Sequence, residues 1–220
     1  MSQSESAPGP NADASHMYQV HDMFRRELKL LPALVRDVAR GDEERAGIVA
    51  DHIDLLSTVL HAHHQLEDES LWPKLRERGS SEDRALVDEM QAHHASIEEI
   101  GSKIAAAIRA WRSGAARERG TALALCLDRM LLIVSEHMAL EEERAIPLIE
   151  KHITAAEWDE ANRRGFASVS PGIVPVVIGM VICARPGAPL RSDMHERAAR
   201  AYALHSQRVH GTVTPPGDAI

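Results

Sequence analysis

Four stretches of the chain place apolar residues three or four positions apart, which is the spacing of one buried face of an α-helix. They run from Met17 to Arg40, from Asp42 or Glu43 to Arg78, from Ser81 to Trp111, and from Ala115 to His152. The connections between them are short, and helices joined by short connections pack side by side in opposite directions. The pattern therefore predicts an all-α protein, an up-down-up-down four-helix bundle.

Two prolines and one cap position affect how regular these helices can be. Pro32 cannot donate to the carbonyl group four residues earlier, so we expect a kink in the first helix. Pro73 comes late in the second stretch and should bend that helix or restart it. Ser81 is a candidate N-cap for the third helix, but Arg84 stands where a capping box needs a Glu, so a partial cap is expected.

The segments on either side of the bundle have other patterns. Residues 1–15 are polar and proline-containing, which favours a disordered tail and leaves residues 16–153 for the bundle. Residues 154–220 favour a helical extension followed by a tail. The extension opens on Thr154 and Glu157, which fit a capping box.

Three helices are predicted within the extension. The first is short and ends at Arg164, with Gly165 closing it. The second covers the apolar run from Ile173 to Ala184, which needs burial in protein and could seal an open end of the bundle or form a homodimer contact. The third runs from Arg191 to Val209. No chemistry is identified in this part of the sequence.

Charge and composition exclude several classes of function. The net charge is −8, which argues against general nucleic-acid binding. The longest apolar run has about 12 residues, whereas a membrane span needs about 20. The N-terminus lacks the features of a secretory signal, and Cys126 and Cys183 lie in apolar runs without a CxxC spacing. We therefore expect a soluble cytoplasmic protein with no membrane or nucleic-acid partner.

Histidines carry the candidate chemistry. Each predicted bundle helix has one on its apolar face: His21, His63, His94 and His137. An unpaired polar group in an apolar core costs about 1–3 kcal/mol, and four of them in one bundle multiply that cost. A shared metal centre removes the cost, because neutral imidazole is the commonest metal-ligating side chain. Histidines held in hydrogen-bond networks of a plain helical bundle are the alternative.

One motif occurs twice, 74 residues apart. HHQLEDESLWPKL begins at His63 and HMALEEERAIPLI begins at His137. In each copy a glutamate, Glu67 or Glu141, follows the histidine by four positions and shares its helix face. Two inward carboxylates can bridge two metal ions, and nitrogen and oxygen donors without thiolate favour iron or manganese over structural zinc.

These residues and motifs resemble the hemerythrin-like family, the HHE cation-binding domain, over about residues 15–153. The Ala- and Arg-rich composition is similar to that of actinobacterial members. The resemblance implies a non-haem centre of two iron ions, usually oxo- or hydroxo-bridged. It implies terminal ligation by His21, His63, His94 and His137 and bridging by Glu67 and Glu141.

One departure from the family concerns the third helix. Oxygen-carrying hemerythrins have two histidines four apart there, but Met90 and Glu98 stand four positions either side of His94. Six protein ligands are therefore expected, and the centre is more open. Glu98 could stand in as an oxygen ligand, and His93 points elsewhere on its helix.

The resemblance implies binding or reduction of a small oxidant: dioxygen, hydrogen peroxide or nitric oxide. Catalase-like decomposition of peroxide is the enzymatic version of this function. A non-catalytic sensor of oxygen, redox state or iron, signalling through the C-terminal extension, is the alternative.

The other polar residues have less specific interpretations. His52 lies about 16 Å from His63 along the helix axis, too far to bind the same metal, and suits a core hydrogen bond. His61 and His64 are expected at the rim of the site, and His16, His152, His195, His205 and His210 on the surface or at helix ends. Asp68 and Glu142 either orient neighbouring imidazoles or face solvent.

Overall fold

A computed structural model describes residues 9–184 and 193–215 of the chain. Nine α-helices lie in these ranges: α1 (His16–Arg36), α2 (Glu43–Leu66), α3 (Trp72–Arg78), α4 (Ser81–Arg112), α5 (Arg117–Leu140), α6 (Ile146–His152), α7 (Ala155–Ser168), α8 (Val174–Ala184) and α9 (Asp193–His210). The described residues contain no β-strand, apart from one isolated bridge. The prediction of an all-α protein is therefore confirmed.

The four long helices form the bundle. Helix α1 packs against α2 and α5, and α4 packs against the same two helices, so each has two main neighbours. Their apolar faces meet in one core, whose largest fully buried members include Phe24, Leu56, Ile104 and Trp111. Burial of these faces provides the main stabilisation of the bundle and places residues on four helices around a common interior.

Two π-helical turns interrupt the bundle helices at matching places. The first covers Glu67–Leu71, between α2 and α3, and the second covers Glu141–Ala145, between α5 and α6. In each, the N–H that follows the turn bonds to the glutamate carbonyl five residues earlier, and a proline comes next. A proline ring clashes with the carbonyl four residues before it, and a wider turn relieves that clash. The expected bend or restart at Pro73 is thus a π turn.

The helix ends differ from expectation at two places. Helix α4 is capped by Ser80 rather than Ser81, because that register places Asp83 at the third helical position and completes a full capping box. Helix α1 ends at Arg36 rather than Arg40, and the N–H of Gly41 bonds to the α4–α5 connection through the Ala115 carbonyl.

The C-terminal extension packs along the side of the bundle. Thr154 and Glu157 form the predicted capping box of α7, but this helix continues to Ser168 through Gly165, which lies against Leu66 of α2. Helices α8 and α9 pack on each other; α8 contacts α1, and α9 contacts α2. The apolar α8 is therefore only partly covered by this chain's own helices: Gly179 and Met180 are buried and its other residues are half-buried. Two predicted α9 residues, 191 and 192, lie outside the described residues.

A close approach between α8 and α9 depends on Gly179. A Cβ at this position would lie 2.3 Å from the Ala198 carbonyl oxygen and 2.5 Å from the Tyr202 Cβ. A side chain at position 179 would not fit between the two backbones, so a glycine at this position allows α8 and α9 to pack this closely.

The N-terminal segment before α1 is packed rather than free. Asn11 forms the isolated bridge with Thr154, and the Ala12 N–H bonds to the Ile153 carbonyl at 2.9 Å. Ala12 and Ala14 are buried. The prediction of a disordered tail is therefore wrong for residues 9–15, and residues 1–8 lie outside the described residues. None of the described helices is long and apolar enough to cross a membrane.

Candidate metal centre

The six predicted donor residues lie together between the four bundle helices. Helix α1 contributes His21, α2 contributes His63, α4 contributes His94 and α5 contributes His137. The two π turns begin with Glu67 and Glu141. Five of the six residues are buried at 6% exposure or less, and the His63 side chain is 9% exposed. The six therefore occupy one interior site, as the sequence predicted.

The bundle has two halves that carry the repeated motif, α1 to α3 and α4 to α6, and each glutamate reaches towards a histidine in both of them. Glu67 Oε1 lies 3.1 Å from His63 Nε2, and its Oε2 lies 3.3 Å from His94 Nε2. Glu141 Oε2 lies 3.4 Å from His21 Nε2 and 3.5 Å from His137 Nε2. A carboxylate placed between two histidines from different helices has the geometry needed to bridge two ions.

Most of the donor atoms have no hydrogen-bond partner; the exception is the pair formed by His21 Nε2 and His63 Nε2, which lie 3.3 Å apart. Both carboxylate oxygens of Glu67 and of Glu141 are buried and accept no hydrogen bond, and the Nε2 atoms of His94 and His137 are likewise unpaired. Burying that many polar atoms unpaired is costly. A pair of cations among them satisfies all of them at once, so the residues present fit a dinuclear metal centre.

A seventh donor, His64, was assigned to the rim by sequence and is buried instead. It is 6% exposed, and its ring stacks on His94 with centroids 4.2 Å apart. His64, His94 and His137 form one donor cluster whose ligand atoms lie within 4.8 Å of one another. His64 therefore adds a nitrogen donor on the side of the site where the sequence appeared one ligand short.

A pattern in α2 could have revealed His64. The buried residues Val49, Ile53, Leu56 and Leu60 follow one another at steps of three and four, and His64 is the next member of that series. Glu98, the alternative oxygen ligand, is exposed, and neither it nor His93 belongs to a donor cluster among the described residues.

Two further acidic residues each contact the Nδ1 atom of a histidine that belongs to the other half of the bundle. Asp68 Oδ2 lies 3.1 Å from His94 Nδ1, and Glu142 Oε1 lies 2.8 Å from His21 Nδ1. Arg25 donates to the same Glu142 oxygen at 2.8 Å. An acid on Nδ1 fixes the ring orientation and leaves Nε2 to face the centre, so Asp68 and Glu142 orient imidazoles rather than only face solvent.

The electrostatics of the site match the needs of metal ligands. Burial lowers the pKa of His63 to about 3 and that of His137 to about 4, so both rings are neutral at pH 7. Burial alone would also lower the pKa of His21, but the neighbouring Glu141 carboxylate and the hydrogen bond to Glu142 outweigh it and raise the value to about 9. Metal binding through His21 must therefore release a proton.

The carboxyl groups differ from each other. Burial and the nearby charge of Glu141 raise the pKa of Glu67 well above its ordinary value. Burial would raise the pKa of Glu141 as well, but the neighbouring His21 ring lowers it to about 2. When no cation is bound, Glu141 therefore favours its ionised form and Glu67 its neutral form more strongly than ordinary glutamates do.

A cavity gives access to the site from outside. It has a volume of about 480 Å³ and opens between α2 and α4. His64, Asp68 and His94 line its inner part, and Ile97 and Met130 add apolar surface. A small neutral molecule can therefore reach the histidine side of the centre without unfolding of the bundle.

Comparison with known families agrees with this geometry. The model of the Hemerythrin HHE cation binding domain matches residues 13–149, which is more than half of the chain, so the chain belongs to this family. Searches of curated proteins and of solved structures found no significant match. Family membership indicates a metal-binding protein, and the donor clusters are consistent with it.

Proposed function

We propose that the protein holds two iron ions between His21, His63, Glu67, His94, His137 and Glu141, and that it binds or reduces dioxygen, hydrogen peroxide or nitric oxide. The observation that carries this proposal is the set of buried donor atoms that four helices bring together, most of which have no hydrogen-bond partner. Two irons supply electrons and Lewis acidity to a small oxidant.

The residues of this chain have separate tasks in that function. Asp68 and Glu142 keep the His94 and His21 rings in orientation. The cavity between α2 and α4 gives the oxidant access to the centre. The buried carboxyl groups take up or release protons as the charge of the centre changes. Peroxide decomposition is the enzymatic form that we propose.

The test is the iron content of the full chain combined with its spectrum and activity. We expect two irons per chain, near-ultraviolet charge-transfer absorption and consumption of peroxide. His63→Ala should lose all three, whereas His152→Ala, a matched change at the end of α6, should keep them. Less than one iron per chain in the wild type, or equal iron in both variants, contradicts the proposal.

A sensing role is the second candidate, because α1 connects the centre to the extension. His21 of α1 faces the centre, and Glu27 of the same helix accepts a hydrogen bond from Tyr202 of α9. A change at the centre that moves α1 would reach α9. The sensor predicts slow peroxide turnover and redox-dependent protease cleavage beyond Thr154; redox-independent cleavage contradicts it. Cytoplasmic location and homodimer formation remain predictions, to be checked by fractionation and size-exclusion chromatography.

A further inference from the structure

A second cluster of histidine and carboxylate donors lies where the C-terminal extension meets the bundle. Glu27 of α1, His52 of α2 and His210 of α9 place their donor atoms within 4.8 Å of one another. Glu27 and His52 are fully buried, and the His210 side chain is 1% exposed. His52 and His63 are eleven residues apart on α2, so this cluster lies about 16 Å along the helix from the proposed iron centre.

The donor atoms of this cluster are too far apart to hydrogen-bond and close enough to share an ion. Glu27 Oε2 lies 3.6 Å from His52 Nε2 and 3.9 Å from His210 Nε2. None of these three atoms has a hydrogen-bond partner, and all are buried. In a tetrahedral zinc site with ligand bonds of about 2.0–2.1 Å, neighbouring ligand atoms are about 3.3–3.4 Å apart. The two distances from Glu27 Oε2 to the histidine nitrogens are within about half an ångström of that spacing.

The other polar atoms of Glu27 and His52 are already occupied. Tyr202 of α9 donates its hydroxyl hydrogen to Glu27 Oε1, and His205 Nε2 lies 3.0 Å from His52 Nδ1. These contacts aim Glu27 Oε2 and His52 Nε2 into the shared space. Metal-ligating histidines and carboxylates are held in this way by an outer partner.

The end of α9 that carries His210 is fixed to the bundle. Arg45 of α2 donates hydrogen bonds to the carbonyl oxygens of Arg208 and Val209, which are among the last carbonyls of α9. The Ser206 hydroxyl donates to the Thr212 carbonyl and holds the chain beyond the helix. The position of His210 is therefore set by the fold rather than by a freely moving terminus.

We propose that Glu27, His52 and His210 form a second, mononuclear site for a divalent transition-metal cation, with Zn²⁺ as the preferred ion. Two imidazoles and one carboxylate without thiolate make a three-ligand zinc set, with a fourth position open for water. Because the ligands come from α1, α2 and α9, the ion joins the extension to the bundle.

The test measures zinc in addition to iron. The full chain is loaded with iron, incubated with Zn²⁺, desalted, and assayed for both metals by mass spectrometry. We expect one zinc per chain in the wild type. His210→Gln and Glu27→Gln should bind zinc at least tenfold more weakly with iron content unchanged, and His152→Gln is the matched histidine control.

Further measurements of metal content and protease cleavage distinguish this zinc site from the proposed iron centre. His63→Ala should lose iron and keep the zinc that His210→Gln loses. Zinc should also slow protease cleavage between α7 and α9 in the wild type but not in Glu27→Gln, and far-ultraviolet circular dichroism checks that both variants keep their helices. The proposal is overturned by a wild type that retains no additional zinc, or by equal zinc in the wild type and the two glutamine variants.

Discussion

Replacing Glu67 with leucine should stabilise the metal-free protein while abolishing iron binding. Glu67 is fully buried, and neither of its oxygens accepts a hydrogen bond, although His63 and His94 are close. Without a cation, this side chain costs the fold free energy. Leucine has a similar volume and no polar atom, so the cost disappears together with the ligand.

The size of the effect follows from the two unpaired oxygens. A buried polar group without a partner costs about 1–3 kcal/mol, and the Glu67 carboxyl group, which favours its neutral form when no cation is bound, is such a group. Because leucine cannot fill the carboxyl site perfectly, we expect about 2 kcal/mol. In a chain of this size that corresponds to a rise in melting temperature of about 4–8 °C.

The gain should depend on pH with a definite sign. Burial raises the pKa of Glu67 above the ordinary value of 4.5, so the folded metal-free protein keeps a proton that the unfolded chain releases. Wild-type stability therefore falls as pH rises above about 4.5. The advantage of Glu67→Leu should grow over the same range.

The assay is thermal unfolding of chelator-treated protein, followed by iron analysis after reconstitution. Glu143→Leu is the matched control, since Glu143 is exposed in the second π turn; it should change stability by less than about 0.5 kcal/mol and keep iron. The reasoning is refuted if metal-free Glu67→Leu melts at or below metal-free wild type, or if it still binds two irons.

Three further changes test other parts of the structure. Asp68→Ala removes the acid behind His94 and should weaken iron binding about 10–100-fold in chelator competition without loss of helix. The hydrogen bonds from Arg78 lower the pKa of Glu157 to about 2, so this residue stabilises the fold above pH 4.5 and loses that contribution as pH falls towards 2. Glu157→Gln should therefore lower the free energy of unfolding, measured in urea at pH 7, by up to about 1 kcal/mol. The difference from the wild type should vanish in acid. Gly179→Ala should cost about 1–3 kcal/mol by forcing α8 and α9 apart, seen as faster protease cleavage of the extension with iron unchanged.

The sequence predicted the parts of the site that follow from helix periodicity. His63 and Glu67 are four residues apart on one helix, so their common direction follows from local geometry alone, and the 74-residue repeat supplies the second pair. Pro73 indicated an interruption of the second helix, whereas the fourth helix was expected to run unbroken from Ala115 to His152. The sequence did not indicate that a π turn begins at each of the two glutamates proposed as bridging ligands.

The missed residues depend on packing between distant segments. His64 is about 100° round the helix from His63, and only the wide buried face of α2, covered by α1 and α4, brings both inside. His205 and His210 were expected on the surface or at helix ends. They lie against His52 because the α8–α9 pair folds back over α1 and α2, and no local pattern in the sequence encodes that contact.

The exchange of acids between the two halves would make loading of the proposed centre a joint event. Asp68 contacts the His94 ring and Glu142 contacts the His21 ring, so a first ion that orders one half's motif would also orient a histidine of the other half. In the proposed dinuclear centre the second ion would then meet donors already in place, and its affinity should exceed that of the first. Under limiting iron, the population should divide into doubly filled and iron-free molecules, with few singly filled ones.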